Sequence, residues 1–412
     1  MKNLQPRPIK DFALGIYDGP HATPKESSEG AVFLGIKNIT DDGRLDFSEV
    51  RHVSEQELPK WTRRVTPQAN DVVLTYEATL HRYAIIPEGF RGCLGRRVAL
   101  VRPDPEKVDS RFMLYYFLSR NWRSVTEAYI KSGATVDRLP LEKFPDIPVR
   151  FPSLSVQKKI ASILTAYDDL IENNRRRMVL LEESARLLYR EWFVRLRFPG
   201  HESTRIVNGV PEGWRKVTLG ELATKIGSGV TPRGGDASYL TEGVPLIRSM
   251  NIFNDRFDPD GLAFISDEQA ARMANVIVQS RDILINITGA SVARCCMAPE
   301  RFVPARVNQH VMIIRVDPAK SASCFVHAAI NSDDRKRQLL SYAQKGSTRE
   351  ALTKETLSNF EITLPSHQLA AHFGEIAKCN FLQRETLALQ NQKLRAARDL
   401  LLPKLMSGEI EV

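Results

Sequence analysis

The chain has 412 residues, 42% hydrophobic and 26% charged, with 58 Lys and Arg against 49 Asp and Glu for a net charge of +9. At about 150 residues per domain this length predicts two to three domains, and the ordinary globular composition excludes wholesale disorder. No apolar run approaches the roughly 20 residues of a membrane span, Met1-Lys2-Asn3-Leu4-Gln5-Pro6 lacks a signal-peptide core, and the cysteines form no CxxC pair, so a reduced, cytoplasmic protein is expected.

In chain order, the first 150 or so residues hold short β-type runs broken by Gly, Pro, Asn and Asp, among them Asp71–Tyr76 and Val98–Arg102. A helix-like segment follows from Ser110 to Ala128. From Ile160, apolar or small residues recur in alternating steps of four and three: Ile160, Leu164, Tyr167, Ile171, Asn174, Met178, Leu181, Ala185, Leu188 and Trp192. This is a heptad seam about 50 Å long at about 1.5 Å per residue. Only Asn174 interrupts it, and a buried seam Asn fixes register or partner number. Phe198-Pro199-Gly200 to Glu212-Gly213 then predicts a linker.

Trp214 opens a second copy of what came before. Gly133-Ala134-Thr135 and Phe151-Pro152-Ser153 recur 213 residues later as Gly346-Ser347-Thr348 and Leu364-Pro365-Ser366. At the same offset Asn38-Ile39 falls on Asn251-Ile252, Asp104-Pro105 on Asp317-Pro318, Phe112 on Phe325, and Leu187-Leu188 on Leu400-Leu401. A period this long marks a duplicated domain rather than a solenoid repeat. The second copy repeats the β-type runs (Asp282–Ile287, His310–Arg315) and the helix-like segment (Cys324 to Ala343). It ends in a second long helix, polar between Asn380 and Gln392 and limited by Pro403.

The expected fold is α+β: duplicated α/β globules at 1–152 and 214–365, long coiled-coil helices at 153–198 and 366–412, and a linker at 199–213. Two such helices bury their seams most economically by pairing antiparallel, with the globules at opposite ends of a rod and a pseudo-two-fold axis between them. A globule of 150 residues is only about 30 to 35 Å across, too short to cover such a seam alone.

Catalytic signatures are missing. The chain has no GxxxxGK[ST] loop, no HExxH, no GxSxG and no Asn/Asp-Pro-Pro-aromatic methyltransferase tetrapeptide, and Gly227-Ser228-Gly229 lacks the third glycine of a dinucleotide fingerprint. Pro103-Asp104-Pro105-Glu106-Lys107 reads as a turn, because its counterpart has lost the Glu. No metal site is expected. Two related globules on a basic, non-catalytic chain suit a two-fold partner, and duplex DNA fits best: two readers meet major-groove faces about 34 to 36 Å apart. Because the copies differ, the target should be bipartite and asymmetric. A coiled-coil adaptor with two protein-binding domains is the alternative, distinguished by lacking salt-sensitive duplex binding.

The order of the motifs resembles a family. Val210-Pro211-Glu212-Gly213-Trp214, Lys225–Pro232, Pro245–Ile252, Asp282–Gly289 and Asn308-Gln309-His310-Val311 precede the Gly346-Ser347-Thr348 loop. With Gln157-Lys158-Lys159-Ile160 and Glu191-Trp192-Phe193-Val194 they resemble the specificity subunit of type I restriction–modification systems over essentially the whole chain. The first half departs from the pattern: it lacks the Pro-Glu-Gly-Trp opening and has Gly95-Arg96-Arg97-Val98 where the second has Asn308-Gln309-His310-Val311. The resemblance implies two target recognition domains, two conserved helices, and partners comprising double-stranded DNA, two methyltransferase (modification) subunits and restriction (motor/nuclease) subunits. It also implies that S-adenosylmethionine and ATP are bound by those partners, with no cofactor on this chain.

Base reading needs side chains that bridge to base edges, chiefly Arg, Lys, Asn and Gln, whereas phosphate contact needs only donors. Loop-borne candidates in the first globule are Thr23, Lys25, Lys37, Asn38, Thr75, Tyr76, Arg82, Arg96 and Arg97. Those in the second are Thr231, Arg233, Arg248, Asn251, Asn286, Thr288, Arg294, Asn308 and Gln309. The twin glycine loops add Lys131 and Thr135, and Lys345, Ser347, Thr348 and Arg349. Solvated surface charge is the plain alternative for each isolated cation, and a structural turn role the alternative for Asn38 and Asn251. Arg175-Arg176-Arg177 lies mid-helix, facing phosphate, solvent or a partner helix.

Overall fold

The computed structural model describes residues 4–133, 136–232, 234–344 and 351–412. The chain divides into two compact units, Met1–Asn173 with Gln390–Val412, and Asn174–Leu389. No helix among the described residues is long and apolar enough to cross a membrane.

The first unit is built on β1 (Ala13–Asp18), β2 (Ala31–Leu34), β3 (Arg51–Val53), β4 (Val72–Thr75), β5 (Tyr83–Ile85), β6 (Gly92–Leu94) and β7 (Val98–Pro103). Strands in the order β1-β7-β4-β5 form an antiparallel sheet. A smaller sheet, β3-β2-β6, pairs β2 parallel to β6. Val72-Val73-Leu74 is apolar without alternation because both its faces are covered: Val72 and Leu74 enter the core beneath the helices, and Val73 the core shared with the smaller sheet.

The second unit repeats this with β8 (Ala223–Ser228), β9 (Val244–Ile247), β10 (Ala263–Ile265), β11 (Ile277–Val278), β12 (Ile283–Asn286), β13 (Cys295–Met297), β14 (Ala305–Val307) and β15 (Val311–Val316). Its sheets run β8-β15-β12-β13 and β10-β9-β14-β11, and β9 and β14 are parallel. The duplication extends to single hydrogen bonds. Arg102 chelates Asp71 (Nε–Oδ1 2.9 Å, Nη2–Oδ2 2.8 Å), and Arg315 chelates Asp282 (2.8 and 2.7 Å).

The helix expected over 110–128 is two, α1 (Ser110–Leu118) and α2 (Arg120–Glu127). Ser119 is extended, and its hydroxyl caps the second helix by accepting from the Trp122 N–H at 3.3 Å. Ser332, at the duplicated position, is likewise extended and separates α4 (Ser323–Asn331) from α5 (Asp333–Gln344), after the long α3 (Leu154–Tyr189). The expected linker contains a hairpin, Ile206–Val207 against Val210–Pro211, turning on Asn208 and Gly209 at positive φ. Both central residues take the left-handed conformation a type I′ turn requires.

The last helix, α6 (His367–Ser407), does not stop at Pro403. Pro403 removes one hydrogen bond in the final turns, while Leu405 and Met406 beyond it are buried in the first unit's core. Every seam position of α3 from Ile160 to Leu188 is buried or half-buried, as is Trp192 in the π-helical turn Arg190–Val194 that follows it. In the first unit Asn391 donates to the Ile171 carbonyl (3.2 Å), and Arg398 donates to Asp168 (2.6 Å), which also accepts from the Tyr115 hydroxyl (2.6 Å). In the second unit Asn380 donates to the Leu181 carbonyl (3.2 Å) and Arg384 to Glu182 (2.7 Å). The beginning of α3 thus meets the end of α6, and the end of α3 the beginning of α6: the helices pair antiparallel. Within the polar stretch of α6, Asn380, Arg384 and Asn391 each bond to α3.

Candidate nucleic-acid interface

In each unit one turn leads into the central strand of the larger sheet, residues 95–97 before β7 and residues 308–310 before β15. Pairing of Thr75 with Val98 and of Asn286 with Val311 fixes the equivalence. The turn is stitched to the smaller sheet through Gly95 N–H to Leu34 O (2.8 Å) and Asn308 N–H to Ile247 O (3.2 Å). Two glycines let a neighbouring strand end lie against it. A Cβ on Gly229 would sit 1.7 Å from the Val307 carbonyl oxygen, and one on Gly19 would sit 2.3 Å from that of Gly95. Close backbone approach explains glycine at both places.

In the second unit this packing brings Thr231 beside the turn. The Thr231 hydroxyl donates to Gln309 Oε1, the Gln309 amide nitrogen lies 3.1 Å from His310 Nε2, and His310 Nδ1 lies 2.7 Å from the Thr288 hydroxyl. Asn308 Oδ1 accepts from the His310 N–H at 3.1 Å, tightening the turn. Thr231, Asn308, Gln309 and His310 line a recess of about 270 Å³ together with Arg248, Ser249, Met250 and Tyr239. The Arg248 guanidinium lies 5.0 Å from the Tyr239 ring centroid and donates to the Gly261 carbonyl at 2.6 Å. Beneath the recess Asn286 donates to Ser249 O (2.9 Å) and to the Ser291 hydroxyl (3.1 Å).

The structure therefore gathers Thr231, Arg248 and Gln309 at one opening, with Thr288 and Asn286 behind them; Asn308 is only 8% exposed and spends its Oδ1 on the His310 N–H, so it is corrected from a contact to a turn residue. Arg294 lies over the Phe253 ring at 5.1 Å, outside the recess lining. His310, Tyr239 and Met250 were not singled out as contacts, although His310 stands within the Asn308–Val311 motif. Arg233, Lys345, Ser347, Thr348, Arg349 and Thr135 lie outside the described residues.

Several candidates are corrected by burial. Asn38 is 3% exposed, its Oδ1 accepting from Gly35 N–H and its amide donating to the carbonyls of Asp46 and Glu49. Asn251, fully buried, does the same with Arg248 N–H and the carbonyls of Asp258 and Asp260. Both are turn scaffolds with their hydrogen-bonding capacity spent internally. Thr75, Tyr76 and Asn286 are also buried, being strand residues or their immediate continuation covered on both sides, and burial pushes the Tyr76 phenol up. None of the five presents a surface to a duplex.

The remaining first-unit candidates are accessible to differing degrees. Thr23, Lys25, Lys37, Arg96 and Lys131 are exposed, Lys37 pairing with Glu49 at 3.3 Å. Arg82 donates to the Ile39 carbonyl (3.2 Å), and Arg97, at φ 72°, pairs with Glu77 (2.9 Å). Among the described residues no group of three or more His, Cys, Asp and Glu is placed to hold a metal ion. Burial pushes the Cys93 and Cys295 thiols up to about 12, so neither is a thiolate nucleophile at neutral pH.

Residues 20–183 and 211–372 each match the family described as "Type I restriction modification DNA specificity domain". The chain is 24% identical to the type I restriction enzyme MjaIX specificity subunit of Methanocaldococcus jannaschii, covering 98% of this chain and 89% of that one. It is 22% identical to the putative MjaX specificity subunit of the same organism, covering 98% and 93%. The crystal structure of the type I restriction–modification S subunit from M. genitalium superposes with a TM-score of 0.58 at 16% identity, over 98% of this chain and 97% of that one, and so shares its fold.

Proposed function

The chain belongs to the type I restriction modification DNA specificity family, and on that premise we propose that it is the DNA-reading subunit of a type I complex. It reads a bipartite target and delivers methyltransferase and restriction subunits to it, while S-adenosylmethionine and ATP are held by those partners. The chain itself carries no catalysis. One observation carries the reading: a single scaffold is used twice, with the same turn at the same strand junction but different side chains. Gly95, Arg96 and Arg97 stand in one unit where Asn308, Gln309 and His310 stand in the other. Base edges are read by side chains while the backbone frame sets position, so one frame with two side-chain sets reads two unlike half-sites.

The test is modification mapping in cells carrying the partner methyltransferase with and without this chain. Methylation at fixed separation in two unlike half-sites, dependent on this chain, is expected. A single contiguous palindrome, or methylation by the purified chain given S-adenosylmethionine alone, refutes the proposal.

A further inference from the structure

The middle residue of this turn is Arg96 in one unit and Gln309 in the other, each exposed and each two residues before a strand partner of equivalent register. We propose that this one position reads one base pair in each half-site, Arg96 taking a guanine and Gln309 an adenine. The inference rests on the DNA-reading function above and adds the identity of a reader and its base.

Gln309 is exposed, yet its amide is tethered at both ends by a continuous hydrogen-bond chain. Thr231 donates to Oε1, so Oε1 is the acceptor end. The amide nitrogen then donates to His310 Nε2, which requires the His310 proton on Nδ1, where it is donated to the Thr288 hydroxyl. Reversing the amide, with Nε2 donating to the Thr231 hydroxyl, Oε1 accepting from His310 Nε2–H and the Thr288 hydroxyl donating to Nδ1, satisfies the same three contacts. Either arrangement leaves one lone pair on Oε1 and one hydrogen on Nε2, side by side at the recess. An adjacent acceptor and donor match the N6 amino group and N7 of adenine in the major groove. An amide already fixed loses little further rotamer freedom on binding.

Arg96 is exposed and makes no ion pair or hydrogen bond through its side chain among the described residues, whereas its neighbour Arg97 is tied to Glu77. Of two adjacent arginines, the structure thus leaves the one equivalent to Gln309 with its planar fork available, the geometry that fits guanine O6 and N7. His310 acts as a positioning residue, through Gln309.

The experiment selects a randomised duplex library with the full-length chain, alone and in complex with its methyltransferase, and reads base frequency at each enriched position. The wild type should enrich one guanine and one adenine that respond to these residues. Gln309→Arg should turn that adenine to guanine, Gln309→Glu should turn it to cytosine, and Arg96→Gln should turn the other half-site's guanine to adenine. Gln309→Ala should relax the preference at its position by roughly tenfold or more. His310→Ala should loosen the same position alone, whereas a merely structural role would weaken the whole half-site together. Circular dichroism of each variant separates misfolding from altered reading, and exposure of both side chains makes folding of the Glu and Gln variants expected. Wild-type bases retained at every position by all folded variants overturn this proposal and leave the DNA-reading function standing. A wild-type chain that enriches no sequence in either form overturns both.

Discussion

Asp71 and Asp282 are 1% exposed or less, and each receives two hydrogen bonds from one arginine and a third from a backbone N–H, of Gln68 or Gln279. A buried carboxylate of this kind is tolerated only while its partners remain. Asp282→Ala strands Arg315, 24% exposed, beside the sheet, and should cost about 3 kcal/mol in urea unfolding, with Asp71→Ala matching it in the first unit. A loss below about 1 kcal/mol would show that water replaces the pair freely. His327 is a second buried ionisable group, 3.6 Å from Asp255. Burial holds its pKa below the ordinary 6.5, against the pull of Asp255. A depressed folded pKa gives stability present above 6.5 and lost as pH falls toward the folded value, because the unfolded state takes up the proton first. The urea midpoint should therefore fall between pH 7.5 and 5.5, and His327→Gln should flatten that fall; an equal fall in the variant assigns it elsewhere. At this scale the sequence was legible in part. Arg and Gln at loop positions marked Arg248 and Gln309, but the same rule marked Asn38 and Asn251, which are spent on their own turns, and Asn286 and Asn308, which are buried, Asn286 against a Ser249 carbonyl 37 residues away.

The long helices show which element properties are local. The α3 seam was readable because its spacing depends on α3 alone. The seam of α6 runs through Asn380, Arg384, Asn391 and Arg398, and reads as polar until the α3 groups that satisfy them are known. Arg384, 13% exposed, binds Glu182, which burial alone pushes up and which Arg384 pulls back. Arg384→Leu should cost about 3 kcal/mol by leaving Glu182 short of a cation, while Glu182→Leu with Arg384→Leu should recover most of it. Arg186 then keeps Asp255 at 2.9 Å, so the double variant strands no charge. Equal losses in single and double variants, measured by chemical denaturation, would mean the pair is only packing. The breaks at Ser119 and Ser332 escaped detection because one serine in a helical pattern is a weak signal; a cap forms only when the chain must turn there.

Taken as a whole, the chain's organisation was its most legible property, since the duplication survives in strand pairing, in the Asp–Arg chelates and in the serine breaks, at an offset of 213 for Arg102, Val98 and Ser119 and of 211 for Asp71 and Thr75. The net charge of +9 belongs to this scale too. Duplex affinity should fall linearly in log–log form between about 50 and 200 mM salt, with a slope near −0.9 for each phosphate neutralised. Fluorescence anisotropy that stays flat over that range would assign the surplus charge to another task. One feature of the partition reaches beyond the finished molecule. The first unit's core includes Leu405 and Met406, with Leu401, Leu402 and Val412 packed against it, although the rest of that unit ends at Asn173. A ribosome releasing about 5 to 20 residues per second needs on the order of ten to fifty seconds to go from there to Leu405. During that interval the second unit emerges, while the first waits without the apolar residues that complete the core around Ile160 and Leu164. The usual order of domain completion during synthesis is thus reversed, and a chain broken off between Leu389 and Leu405 would carry a finished second unit on an unfinished first.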